Sequence, residues 1–425
     1  MNKTIQSQNL KLIYVMLMGT IVSQILSLDT ISSAFFYVLM ALTLLLGLSR
    51  IKETWTKTDR LVVAAAFAAT LAVLIDSVLY KQSVTLSDYT KFISFLLSII
   101  YFTTLSSTIF NKRTIQFVLR INTFISIFFI VNFFVRQSDM YLLKGNVSEY
   151  LTFQFTNPNL VSLFLLCCAI VEFIQSFREK KTSKRVIYAI LACIITWFIY
   201  ETGSRNALLA ISFFLIFVIL YTFFNKNFQI SSWVAALISI FPLFFSAIYM
   251  LVVNRKEVLK FFSFLIRPGK NLNSRISIWN YALSVFSDSP IIGSFMRTLH
   301  GTSQSHMHNS HLDILSSYGC IVLILFCMLL YCILLSAKAK AKSSTSRLAV
   351  WGFAAVLIAG VGETAIFSGG LGIYAYAGML LLITNESAEE SSVKVSTGSA
   401  QRKKGAQKRP CKQTVLQGQG VFTQS

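Results

Sequence analysis

The chain has four histidines, His300, His306, His308 and His311, all within twelve residues of one another. A neutral imidazole takes up and gives back a proton near neutral pH, and it is also the side chain most often found on metal ions. The run His306-Met-His308-Asn309-Ser-His311-Leu312-Asp313 therefore offers three alternatives: a general base, a metal site, or a solvated cluster. A catalytic zinc takes three protein ligands and keeps one position open, and His306, His308 and His311 would suffice. Against zinc, no HExxH-type pattern or carboxylate-rich stretch accompanies them. The spacing of His308 and His311 predicts neighbouring turns at a helix start.

Two arginines stand in comparably compact settings. Glu201-Thr-Gly-Ser-Arg205-Asn is a very short turn between two apolar segments. It holds Arg205 either as a side chain snorkelling to an interface or as a charge kept for an anion. In Asn273-Ser-Arg275-Ile-Ser-Ile-Trp279, Ser274 can cap a helix on which Arg275 and Trp279, four apart, share a face. Ser289-Pro290 and Gly293 then punctuate its end. The plainer account is an amphipathic interfacial helix with a solvated Arg275 and Trp279 as an aromatic anchor. Glu363, in a late turn, is either an extra acid near the site or a partner for a loop arginine.

The elements that must position these groups follow from composition. The chain is 55% hydrophobic and 13% charged over 425 residues, with 37 phenylalanines. Apolar runs of about 17 to 25 residues cross a bilayer as helices. Twelve are predicted: 10–28, 31–48, 61–80, 92–110, 115–135, 160–177, 186–201, 206–224, 230–253, 312–335, 347–362 and 369–384. The expected fold is an all-α polytopic membrane protein with one long outer loop between helices 9 and 10. Its regions are 1–253 with helices 1 to 9, 254–311 as an extracytoplasmic loop with short helices and the histidines, 312–385 with helices 10 to 12, and 386–425 as a disordered basic tail.

Cytoplasmic loops carry the excess of Lys and Arg. With both termini in the cytoplasm, eighteen of these residues fall in short inner segments and five in short outer loops, which puts the histidines outside. The net charge of +21 is thus spent on topology and on the tail, and a nucleic-acid partner is not expected. Six cysteines lie inside predicted spans and Cys411 in the tail, a distribution that gives no disulfide framework. The N-terminal segment runs into a long apolar stretch with no small-residue cleavage site, as a retained first helix would.

Several of these pieces, in this order, resemble the O-antigen ligase and polysaccharide polymerase family. Asn157-Pro158-Asn159 opens the sixth span as that family's Asn-Pro-Asn does, and Gly203-Ser204-Arg205 resembles its Ser-Arg motif. Arg275 with Trp279 and Pro290 with Gly293 are similar to its loop helix, and His308-Asn309 with Leu312 and Gly319 to its signature. Residues 1 to 150 match only as hydrophobic helices.

The resemblance implies a metal-independent glycosyltransferase in the inner membrane of a bacterium, with no cofactor. Its donor would be a polyprenyl-diphosphate-linked oligosaccharide. A growing glycan or other acceptor, the bilayer and other polysaccharide-export proteins would be its partners. A departing diphosphate gathers negative charge that arginine forks stabilise, which suits Arg205 and Arg275. The acceptor hydroxyl needs a general base, and His308 holds the matching position. Asn159, Trp279, Asn309, His311 and Glu363 are the expected substrate contacts. The expected activity is polymerisation of lipid-linked repeat units into a capsule or O-antigen. One alternative is ligation of a finished glycan to a lipid or protein, and another is a twelve-helix polysaccharide transporter or flippase. In the last case the long loop would be expected inside, between the sixth and seventh spans.

Overall fold

A computed structural model describes residues 2–48, 57–79, 86–136, 140–143, 149–155, 157–223, 229–252, 273–294, 307–362 and 371–384. The tail from 386, Glu363, His300, His306 and most of the long loop lie outside the described residues. The described chain is an all-α polytopic membrane protein. Its helices are α1 (Asn2–Ile25), α2 (Asp29–Leu48), α3 (Lys57–Leu79), α4 (Leu86–Ser107), α5 (Lys112–Val135), α6 (Pro158–Arg178), α7 (Thr182–Glu201), α8 (Arg205–Phe223), α9 (Ser232–Val252), α10 (Asn273–Asp288), α11 (Ser310–Lys340), α12 (Ser344–Ala359) and α13 (Leu371–Thr384). Seven of the described helices are long and apolar enough to cross a membrane. Between α5 and α6 a short antiparallel hairpin pairs Tyr141–Leu143 with Glu149–Leu151, a departure from a purely helical expectation.

Local chemistry fixes where helices begin. Asn111 caps α5 by accepting from the Thr114 amide at 2.7 Å. Asn157 caps α6, and Pro158 fills the first helical position, where its missing N–H is not needed. Ser343 and Ser346 form a reciprocal capping box at α12.

Helices α12 and α13 form the centre. From Leu348 to Gly362 every residue is buried, and α12 packs against α6, α8, α9, α11 and α13. The periphery is the reverse: Phe67, Phe134, Phe223 and Trp233 are 69%, 70%, 79% and 83% exposed. In water such a surface would aggregate, whereas acyl chains solvate it. Between α5 and α6 a carboxylate is sealed inside: Glu172 accepts from Asn122 at 2.7 Å, Ser126 at 3.2 Å, Gln175 at 3.1 Å and Thr123 at 3.5 Å. Interhelical hydrogen bonds of this kind tie helices that lipid cannot squeeze together by hydrophobicity.

One span departs from its predicted form. The segment read as a straight span over 312–335 is two helices, broken at Gly319, whose φ is 80° and ψ −179°. The His311 ring lies 5.5 Å from the Phe326 ring; fifteen residues of straight helix would separate their backbones by about 22 Å. The first piece, 310–318, therefore folds back beside the second. The second, 320–340, is still long enough to span.

Candidate functional site

The site is built where three helices are interrupted. Pro242 sits inside α9 and has no N–H to offer the Ile238 carbonyl one turn back. Around this interruption, two other α9 carbonyls also accept from α11. The Asn309 amide donates to Pro242 O at 3.0 Å, and His311 Nε2 donates to Ser239 O at 2.7 Å. A carbonyl can only accept, so Nε2 carries the proton. The second Asn309 N–H goes to Val361 O at 3.0 Å, just past the end of α12.

The first turn of α11 is fully satisfied by this arrangement. Asn309 Oδ1 accepts from the amides of His311 and Leu312, both at 3.0 Å. The Ser310 amide donates to Gly360 O at 3.0 Å, and the Asp313 amide to Asn309 O at 2.9 Å. Helix ends leave orphan donors and acceptors; here the end of α12 supplies acceptors to the start of α11. Asn309 is wholly buried and its side-chain amide makes four hydrogen bonds, the full capacity of such a group. The sequence reading put Asn309 and His311 among the substrate contacts. In the structure both face the protein, His311 only 2% exposed and with no partner for Nδ1 among the described residues.

His308, immediately before this junction, is half-buried and has φ = 50°. That left-handed conformation is uncommon outside glycine, costs about 1–3 kcal/mol, and persists only where the surroundings over-determine it. Its neighbours do so. Trp279 Nε1 donates to Met307 O at 3.2 Å, and the Met307 amide approaches Asp313 Oδ1 at 3.4 Å. Trp279 is itself 3% exposed and meets Tyr249 of α9 edge to face at 5.7 Å.

A second clamp holds α10 to the break in α11. In an unbroken helix the Cys320 amide would bond Ser316 O. Here Cys320 N donates to Pro290 O and Ser294 N to Ser316 O, both at 3.0 Å. The segment after α10 thus restores both partners lost at Gly319, which is how irregular backbone survives in an apolar domain. Both glycines are required: a Cβ on Gly293 would stand 2.5 Å from the amide nitrogens of Tyr318 and Gly319, and one on Gly319 would strike Ile291 O. Their φ values, 70° and 80°, also favour glycine.

Arg205 and Asn159 lie at a different junction. The links 179–181 and 202–204 are only a few residues long, so α6, α7 and α8 run alternately, and the starts of α6 and α8 lie at one end. These two helices pack together. Gly203, with φ = 66°, makes the turn into α8. Thr202 steadies it by donating to Ile199 O at 2.7 Å. A cation in the first turn of a helix opposes the helix dipole, so helix stability does not account for Arg205. Two helix N-termini and an arginine at one end suit an anion.

The structure therefore joins Trp279, Asn309 and His311 to the strained His308 and sets Asn159 and Arg205 at helix starts on one end. Arg275 lies on α10, one turn before Trp279, with its side chain outside the described residues, as is all of Glu363. No three described His, Cys, Asp or Glu side chains gather as a metal set. Sequence reasoning missed Ser239, Pro242, Asp313 and Gly360–Val361. A proline inside an apolar span and an acid in the first turn after the histidines were the available signals.

No curated protein matches this sequence. A family model described as O-Antigen ligase matches residues 187–327. That stretch runs from α7 through Arg205, the Pro242 interruption, α10, the strained His308 and the Gly319 break. Over residues 187–327, about a third of its length, the chain is similar to the O-antigen ligase family.

Proposed function

We propose that this protein is a membrane glycosyltransferase that polymerises polyprenyl-diphosphate-linked oligosaccharide units into a surface polysaccharide. The family domain supports glycan transfer by a multi-pass membrane protein. The observation that carries the residue assignment is the left-handed backbone of His308, held between Trp279 and the Asn309 junction. Strain maintained this way belongs at sites where a side chain must be presented in one geometry.

In this reading His308 takes the proton of the acceptor hydroxyl as it attacks the anomeric carbon of the donor. Arg205 and Arg275 stabilise the charge that the leaving diphosphate gathers. Asn159 and Trp279 line the substrate path, with Glu363 beside it, while Asn309 and His311 act by fixing the start of α11. The proposed topology has twelve spans with both termini in the cytoplasm, so that chemistry occurs at the outer side of a bacterial inner membrane. Under this topology, 310–318 is a re-entrant helix whose N-terminus opens below the membrane surface.

With purified protein and lipid-linked repeat units, His308→Ala abolishes chain growth while the protein remains folded in detergent. Undiminished growth in that variant defeats the assignment. If His311→Ala alone stops growth, the base has moved by three residues. Ligation of finished glycans uses the same donor chemistry, and a deletion strain separates the two. Single repeat units on the final acceptor indicate a polymerase; long chains left on the carrier indicate a ligase. A flippase would instead leave repeat units stranded on the inner leaflet.

A further inference from the structure

Charged residues inside membrane helices nearly always face the protein interior or a polar cavity, and Arg120 breaks that pattern. It lies eight residues into α5, about 12 Å from the helix start. It is exposed, on the same stripe as Phe124, Ile127, Val131 and Phe134, which are 50%, 46%, 51% and 70% exposed. Hydrophobic matter therefore covers this face, and the face carries a guanidinium. Arg120 makes no hydrogen bond or ion pair with a described residue.

The flanks of the stripe add charge at the same level. On one side Lys11 of α1 stands over the Phe117 ring at 5.7 Å, one turn before Arg120. On the other side Tyr188 of α7 lies within electrostatic range of Arg120, Arg178, Glu172 and Glu179. Helix α5 packs against both α1 and α7. Glu172 is wholly buried, and its carboxylate is already engaged by four side-chain donors, Asn122, Thr123, Ser126 and Gln175. Topology gives no reason for a cation this deep either, since Lys112, Arg113, Arg178, Lys180 and Lys181 already mark the adjacent segments.

We propose that the face of α5 between α1 and α7 binds one acidic phospholipid. Its phosphate is held by Arg120 and Lys11, and its acyl chains lie along Phe124, Ile127 and Val131. An arginine stem lies along apolar surface while its head reaches back to headgroup level, and its fork matches phosphate oxygens. Two cations on one lipid-facing surface favour an anionic lipid over a zwitterionic one. The proposal is independent of the glycosyltransferase reading, as it needs only that α5 crosses a bilayer.

The test uses the full chain in detergent, titrated with phosphatidylglycerol or phosphatidylcholine, reading retained lipid by native mass spectrometry and the melting temperature. Phosphatidylglycerol is expected to bind saturably at one site and raise the melting temperature, and phosphatidylcholine to do neither. Arg120→Gln should weaken binding about fivefold, and Lys11→Gln by a similar factor. Arg120→Lys should recover part of it, and Arg60→Gln, on exposed α3, should change nothing. Equal binding of the two lipids, unchanged binding by Arg120→Gln, or an equal loss in Arg60→Gln overturns the proposal. Equal protection by inorganic phosphate overturns it too, since the site would then take a soluble anion.

Discussion

Two polar clusters are sealed inside this apolar protein, and they are built by opposite means. Between α5 and α6, Glu172 is surrounded by Asn122, Thr123, Ser126 and Gln175, all on unbroken helices and all through side chains. Between α9, α11 and α12, Asn309 and His311 instead bond backbone carbonyls at three interruptions: Pro242, the start of α11 and the end of α12. A side-chain network can be inserted into a regular helix pair without disturbing it. A backbone network requires each helix to stop, and stopping a helix in lipid leaves several groups to satisfy. The second cluster adjoins His308, whose backbone is left-handed. Irregular backbone marks the proposed chemistry; a buried charge alone marks a structural tie.

That contrast can be broken by mutation. Largest is His308→Ala, expected to lower glycan transfer by about 10²–10⁴-fold with little change in melting temperature. A drop below tenfold in a turnover assay would leave the strained residue without a catalytic role. Next is Asn309→Ala, which removes two capping hydrogen bonds at the start of α11 and takes a donor from two buried carbonyls. Chemical denaturation in mild detergent should read a loss of about 2–4 kcal/mol, with transfer activity falling in parallel.

Glu172→Gln sharpens the comparison from the other side. It leaves donors facing a neutral amide and should reduce stability by about 1–3 kcal/mol while the turnover of the folded fraction stays level. A fall in turnover at unchanged stability would instead bring the α5–α6 cluster into the mechanism. The smallest effect is His308→Gly. Glycine adopts φ = 50° freely, so thermal stability should rise by as much as about 1 kcal/mol although transfer is lost. No gain in melting temperature would mean that the His308 backbone is not strained.

Some of this was legible in residues alone. Asn157-Pro158 predicts the start of α6, and the helix beginning at Asn273 is read from Ser274, Arg275 and Trp279. The apolar stretches predict helices, and each overlaps a described helix, 312–335 in two pieces broken at Gly319; seven of the described helices are long and apolar enough to cross a membrane. The order of short motifs pointed to the family whose domain spans 187–327. Hydropathy reports the length and apolarity of a stretch but not its direction, so Gly319, though part of the motif after the histidines, gave no sign that the span reverses there. Likewise Pro242 reads only as a kink until something is seen to use the carbonyls beside it.

The sequence by itself determined the class of protein, because enough apolar residue in the right lengths admits only membrane helices, and it named the histidine segment as the place for proton chemistry. Tertiary structure decided how that segment works. The reversal at Gly319 depends on Pro290 and Ser294 supplying hydrogen bonds from about 25 residues earlier in the chain, and the first turn of α11 depends on carbonyls of α9 and α12. A local pattern carries no record of such partners, since a backbone carbonyl is identical at every position. Only the fold decides which of them meet a donor from another helix, as Ser239 O meets His311 and Pro242 O meets Asn309.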